Sequence, residues 1–251
     1  MDFSDIPNQM NAPNGKPRFA YVTFVMLNDN YLPGALVAGF SLRKQSTQAE
    51  LVCLVTDGVS LPARLALESL FDHVPKVEPI FLPHKRRQQR QDRPYFFTRI
   101  HSLRLGTDGD LGYGFDKIVV IDADLLPLKY CDHLFCLPAP AGVLNETKSH
   151  VIQNDKEGNY KVTKKILKSG RWEWHRRYDP ICPHGFPVPS EITDRVAKDP
   201  TNMGMNGALF VLEPSSSEYE KILSDVQRPV IQRLVGDVFD WPDMQYLTMR
   251  W

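Results

Sequence analysis

The chain alternates between short apolar runs and amphipathic stretches. The run Phe19-Ala20-Tyr21-Val22-Thr23-Phe24-Val25-Met26 is rich in β-branched and aromatic residues and predicts a strand. Asn28-Asp29-Asn30-Tyr31 breaks it, and Leu32 to Arg43 has helical spacing with Pro33 in the first turn. Leu51 to Thr56 predicts a second strand, Pro62 to Phe71 a second helix, and Lys76 to Leu82 a short third strand. This β-α-β-α-β order implies right-handed crossovers and a Rossmann-like, mostly parallel sheet. Pro94 to Leu105 reads as a helix, and Gly106 to Gly114 as a glycine-rich turn. Ile118 to Ile121 is a fully apolar run of the kind a sheet buries on both faces. Ala141 to Leu144 and the segment after Gly204 predict further strands, and Ser217 to Val226 a capped helix. A last helix starts around Asp240 to Leu247.

Two polar stretches interrupt this order. His84 to Arg93 reads as a solvated loop. Lys148 to Thr201 is basic and dense in Trp, His and Pro, which predicts an insertion lying beside an otherwise single domain. Within it Lys161 to Lys168 could form a basic amphipathic helix, and Trp172, Trp174 and Tyr178 offer flat faces for a ligand. Met1 to Pro17 reads as a flexible leader without a signal-peptide pattern, and residues 18–251 as the domain.

Composition narrows the function classes. The chain has 251 residues, with 30 basic and 30 acidic side chains. That balance argues against a dedicated nucleic-acid binder. No apolar stretch has the length of a membrane span. Cys53, Cys131, Cys136 and Cys182 have neither zinc-finger spacing nor the density of a disulfide framework, so reduced thiols and a cytoplasmic location are the simplest expectation.

The chemistry is concentrated at Asp122-Ala123-Asp124, where the apolar strand stops. In open α/β sheets ligands sit beyond the carboxyl ends of the strands. Two carboxylates there suit a hard divalent cation, which in turn can hold a diphosphate. The glycines of 106–114 precede their strand and fit no dinucleotide fingerprint.

Four segments, taken in order, carry a resemblance: Asn28-Asp29-Asn30-Tyr31 with Gly34-Ala35-Leu36-Val37; Thr98-Arg99-Ile100-His101-Ser102-Leu103; Val119-Val120-Ile121-Asp122-Ala123-Asp124 followed by Pro127 and Asp132-His133-Leu134-Phe135; and Asn206-Gly207-Ala208-Leu209-Phe210-Val211 with Asp243. The chain resembles glycosyltransferase family 8, the glycogenin-like enzymes of the GT-A fold, from about Phe19 to Leu247. The resemblance implies a single-domain α/β fold with a mixed, mostly parallel sheet flanked by helices. It also implies retaining transfer of a hexose, glucose favoured, from a UDP-sugar to a hydroxyl acceptor. Asp122 and Asp124 would hold Mn²⁺ (or Mg²⁺). Val25, Leu27, Asn28 and Tyr31 would meet the uridine, and Ala123 would lie at the donor between the metal aspartates. Arg99 would reach the sugar-phosphate, Asn206 the sugar or acceptor, and Asp243 the anomeric carbon. The family places glutamine directly after this aspartate; here Met244 stands there, with Gln245 one position later.

The implied partners are the nucleotide-sugar donor and a glycan, protein or small-molecule acceptor, with a homodimer as one assembly. A further histidine-containing motif of the family is not found before Trp251, so the expectation is a catalytic domain lacking its C-terminal clamp and weakly active without it. Three rivals predict otherwise: an inactive UDP-sugar-binding module of the same fold, a sugar-nucleotide pyrophosphorylase, and an interaction protein that holds an acidic partner on its basic insertion. The pyrophosphorylase would need a basic glycine-rich loop where Asn28-Asp29-Asn30-Tyr31 stands.

Overall fold

Successive side chains of the first strand, β1 (Phe19–Val25), enter two different cores. Ala20, Val22 and Phe24 join one buried cluster, and Phe19, Tyr21 and Val25 the other. A strand alternates its side chains across the sheet, so this split places β1 in the middle of a sheet covered on both faces. The computed structural model describes residues 10–11, 15, 18–85, 92–144, 152–154, 160–162, 187, 190, 204–239 and 241–251.

Among the described residues a five-stranded sheet has the order β2-β1-β3-β7-β4, with β2 Glu50–Val55, β3 Lys117–Ile121, β4 Ala141–Leu144 and β7 Met205–Leu212. β2, β1 and β3 run parallel; β7 is antiparallel to β3, and β4 to β7. The sheet is mixed; its parallel part holds the first two strands of the βαβ reading, with Lys117–Ile121 as the third. Two short strands, β5 (Ile152–Asn154) and β6 (Tyr160–Val162), pair separately. Lys161 therefore lies in a strand instead of the expected basic helix, and residues 163–168 lie outside the described ones.

One face of the sheet is covered by α1 (Leu32–Lys44) and α2 (Leu61–Glu68). Ser60 caps α2 by accepting from the Ala63 amide at 3.3 Å, and Pro62 follows in the first turn. The other face packs against α3 (Ser216–Val226), α5 (Pro242–Arg250) and a 3-10 helix, Arg93–Leu105. α4 (Pro229–Arg233) and a π-type turn, Leu234–Val238, link α3 to α5.

The expected strand at Lys76–Leu82 is not present. Val77 donates to the Val55 carbonyl at 2.8 Å and Val55 to the Pro75 carbonyl at 3.0 Å, but the pairing goes no further than an isolated bridge. Pro75 and Pro79 have no amide hydrogen to extend a ladder.

The helix expected at Pro94 to Leu105 forms, but with three residues per turn. Nine of its 13 residues are buried, including Arg93, Thr98 and His101. Buried polar groups anchor it: the Thr98 hydroxyl accepts from the Ile80 amide at 2.9 Å, and His101 Nε2 meets the Glu78 carbonyl at 2.7 Å. In a 3-10 helix residues three apart eclipse, so Arg93, Phe96 and Arg99 share one face.

α5 is tied to β7 by one side chain. Thr248 Oγ1 accepts from the Met205 amide at 2.8 Å and donates to the Met244 carbonyl at 2.7 Å. Gly204 passes this threonine with φ of 63°, and a Cβ there would lie 2.3 Å from Thr248 Oγ1. The anchor brings the first turn of α5, with Asp243, to the edge where β1 and β3 end.

Candidate active site

β1 and β3 are parallel and in register, with Val22 opposite Val120, so their carboxyl ends open on one edge of the sheet. The Asp122 amide donates to the Ala208 carbonyl at 3.1 Å, and the Leu125 amide closes the turn onto the Asp122 carbonyl at 3.0 Å. Ala123 is buried, Asp122 half-buried and Asp124 exposed. The start of α1 presses on this turn. A Cβ at Gly34 would lie 2.5 Å from the Ala123 carbonyl oxygen, closer than any side chain allows.

The loop leaving β1 is held under strain. Leu27 has φ of 68°, a left-handed conformation costly for a leucine. Its amide donates to Thr56 Oγ1 at 2.8 Å, and Gly58 packs so tightly against its carbonyl that a Cβ would lie 2.0 Å away. Asn28 Oδ1 accepts from the Asn30 amide at 2.9 Å. Asp29 Oδ1 accepts from the Ser60 amide at 2.9 Å, and hydrogen bonding to Ser60 lowers its carboxyl pKa. These bonds set the direction in which Tyr31 leaves the loop.

Arg99 joins the two sides of the edge. Its Nη1 donates to the Gly207 carbonyl at 2.6 Å, its Nη2 to Asp122 Oδ1 at 3.3 Å, and its Nε lies 3.1 Å from Asp243 Oδ2. The Arg99 side chain is 11% exposed and that of Asp243 1%. Gly207 leaves the room for this contact, since a Cβ there would lie 2.6 Å from Arg99 Nη1. A buried carboxylate is costly unless a cation lies against it, and here Arg99 supplies the charge.

These groups line one open cleft. Of the residues singled out in the sequence, Tyr31, Arg99, Asp122, Ala123, Asp124 and Asp243 line it. The others lie elsewhere. The Val25 side chain is fully buried in the α1-side core. Leu27 and Asn28 serve the strained loop, and Asn206 Oδ1 accepts from the Ala208 amide at 2.9 Å. Gln245 is fully buried, and its Oε1 accepts from the Trp241 amide at 2.8 Å, which ties down the start of α5. Residues 172, 174 and 178, and the histidines at 150, 175 and 184, lie outside the described residues.

Several cleft residues were not anticipated: Asp92, Phe96, Trp241 and Met244. The Arg99 guanidinium carbon lies 6.0 Å from the Phe96 ring centroid, and that of Arg93 4.6 Å from the Trp241 centroid. A three-residue period in Arg93, Phe96 and Arg99 is the sequence signal that would have found part of this wall.

The donor set at Asp122-Ala123-Asp124 suits a hard divalent cation: two carboxylates on an accessible edge, with oxygen as the ligand atom. Among the described residues no group of three or more His, Cys, Asp or Glu side chains is gathered as a metal site. A cation held by two carboxylates completes its shell with phosphate oxygens and water, as Mg²⁺-type sites commonly do.

No family model matches the chain. An uncharacterized protein, R707, of Acanthamoeba polyphaga mimivirus is 29% identical over 239 residues, 93% of this chain and 67% of the viral protein. Glycogenin-1 of Caenorhabditis elegans is 37% identical over 123 residues, 47% of this chain and 27% of the worm protein. The chain thus spans only part of the length of these relatives. Among solved structures, the galactosyltransferase LgtC in complex with donor and acceptor sugar analogs superposes with a TM-score of 0.51 at 15% identity, covering 92% of this chain and 70% of the other.

Proposed function

We propose that this chain is a glycogenin-like member of glycosyltransferase family 8 with a GT-A fold, and that it moves a hexose from a UDP-sugar to a hydroxyl acceptor with retention of configuration. The observation that carries the reading is the convergence of Tyr31, Asp122, Asp124, Arg99 and Asp243 on one cleft at the carboxyl edge of the parallel strands. That edge is where an open α/β sheet binds its ligands.

In this reading each side chain has a separate task. Tyr31, 37% exposed in the cleft, stacks on the uracil. Asp122 and Asp124 would hold Mn²⁺ or Mg²⁺ near the donor diphosphate, where the ion would supply positive charge for a departing UDP. Arg99 adds a fixed positive charge beside the donor phosphate. Asp243, buried against Arg99, directs its carboxylate toward the anomeric carbon, where positive charge develops during transfer. In this reading retention follows a front-face route, in which the leaving phosphate takes the acceptor proton.

The test is calorimetric titration of UDP into the protein with and without Mn²⁺, repeated on Asp122→Asn/Asp124→Asn. Mn²⁺-dependent binding that the double variant loses is the expected result. Binding of equal strength with or without metal, in both proteins, would overturn the reading.

A further inference from the structure

A second hollow lies outside the transferase cleft and shares no lining residue with it. It opens where the segment Leu82 to Lys85 crosses the end of α3, α4 and the π-type turn, and it encloses about 510 Å³. That volume is in the usual range of small-molecule sites. Leu82, Val226 and Val235 line it and are each no more than 6% exposed, and Pro83 and Pro229 extend the apolar wall.

The walls are bonded to each other. The Lys85 amide donates to the Gly236 carbonyl at 2.8 Å, and His84 Nε2 meets the Phe239 carbonyl at 2.9 Å. Gly236 lets the crossing segment come this near, since a Cβ there would lie 2.9 Å from the Pro83 carbonyl oxygen. The turn closes with a bond five residues long, from the Phe239 amide to the Leu234 carbonyl at 2.8 Å. Such π-type turns are rare and recur at functional sites. A hollow held in shape before a ligand arrives loses little ordering entropy on binding.

Charge selects the ligand class. Among the described residues the charged side chains lining the hollow are Lys85, Arg233 and Asp237. Lys85 Nζ lies 3.0 Å from Asp237 Oδ1, so those two charges offset each other. Arg233 is exposed at the end of α4 and makes no ion pair among the described residues, which leaves the apolar hollow with one positive charge at its rim. A guanidinium grips a carboxylate or phosphate through two parallel hydrogen bonds, and Gln232 beside it on the rim offers an amide donor. We infer that this hollow is a second ligand site, for an amphipathic anion: an apolar chain or ring that ends in a carboxylate or phosphate head. The head meets Arg233 and the body covers Leu82, Val226 and Val235. The inference goes beyond the transfer reaction and does not depend on the donor reading.

The experiment titrates octanoate, octyl phosphate and octyltrimethylammonium into the full chain by calorimetry, below their micelle-forming concentrations. NMR of labelled Val and Leu methyl groups locates each ligand. The native protein is compared with Arg233→Gln and Gln232→Trp, both at exposed positions. The expected result is binding of the anions with shifts at Val226 and Val235, and binding of the cation at least tenfold weaker. Arg233→Gln should weaken the anions tenfold or more and leave the cation unchanged, and Gln232→Trp, bulky at the mouth, should weaken all three. Binding of one anion alone supports the site and names its head. Equal affinity for cation and anions overturns the inference, as does native anion affinity in Arg233→Gln or no binding by either anion. Methyl shifts confined to Val37 and Leu65, on the exposed apolar faces of α1 and α2, overturn it too. If a variant does not fold, the anion-to-cation ratio and the methyl shifts of the native protein decide.

Discussion

Asp243 places Oδ2 3.1 Å from Nε of Arg99, with its carboxylate 1% exposed. Neither carboxylate oxygen has a well-aligned hydrogen bond among the described residues, so the contact is chiefly ionic. Removing one partner of such a pair leaves a buried charge alone, at about 3–5 kcal/mol. Arg99→Ala is therefore expected to lower stability by about that amount in urea unfolding, and Arg99→Ala/Asp243→Asn to recover part of it. A double-variant loss equal to the sum of the losses in Arg99→Ala and Asp243→Asn alone would show that the pair is not coupled.

The two aspartates of the β3 turn separate folding from binding. Asp124 is exposed, so Asp124→Asn is expected to change stability by less than about 0.5 kcal/mol. Its Mn²⁺-dependent affinity for UDP should nevertheless fall tenfold or more. Asp122→Asn should lose binding as well and also shift stability, because Asp122 Oδ1 accepts from Arg99 at 3.3 Å. Urea unfolding and calorimetry on the same two samples check both halves.

How much of this was legible beforehand depended on the kind of signal. The β-α-β start and the β3 strand are written in runs of β-branched residues that each match one element, so β1, β2, β3, α1 and α2 appear close to their expected positions. The segment Lys76 to Leu82 has the same apolar character, but Pro75 and Pro79 deny it the amides a strand needs. At the site, Asp122, Asp124, Arg99 and Asp243 come from three separated segments, and a resemblance to known proteins could gather them where periodicity could not. Trp241 and Asp92 carry no local pattern at all. Asp92 directly precedes the 3-10 helix, whose three-residue period is close enough to that of an α-helix to be missed in sequence, and Trp241 directly precedes α5. Gln245 shows the reverse: adjacent to the expected motif, it turned out to tie the start of α5, with its side chain bonded to the Trp241 amide.

Close packing around the aspartate turn gives a prediction that involves no charged group. A Cβ at Gly34 would lie 2.5 Å from the Ala123 carbonyl oxygen, which is backbone and cannot rotate away. Gly34→Ala must push α1 and the turn apart. It is expected to cost about 1–3 kcal/mol, the usual price of overpacking. Because the turn carries Asp122 and Asp124, UDP binding with Mn²⁺ should weaken as well. Thermal unfolding and calorimetry check it, and a fully stable Gly34→Ala protein with native binding would show that the turn is not held by this contact.

His101 predicts how stability depends on pH. It is 3% exposed, its Nε2 meets the Glu78 carbonyl at 2.7 Å, and Arg104 Nη1 lies 3.0 Å from its Nδ1. Arg104 can only donate, so Nδ1 accepts and the neutral ring carries its proton on Nε2. Protonating Nδ1 would desolvate a charge and turn it against the guanidinium, while Asp110, bonded to Arg104, and the Tyr219 ring complete the surroundings. Burial, the largest effect, with the nearby Arg104 charge lowers the pKa from 6.5 to about 4. Between those values the unfolded chain binds the extra proton and the folded chain does not, so stability falls as pH drops from about 6.5 toward 4 and is intact at pH 7. One group with this shift accounts for about 3 kcal/mol over the whole window. His101→Gln keeps an amide that can donate to Glu78 but cannot titrate. Urea unfolding at pH 7 and pH 4.5 should therefore show a smaller loss in His101→Gln than in the native protein, by about 2 kcal/mol; equal losses would place the pH dependence elsewhere.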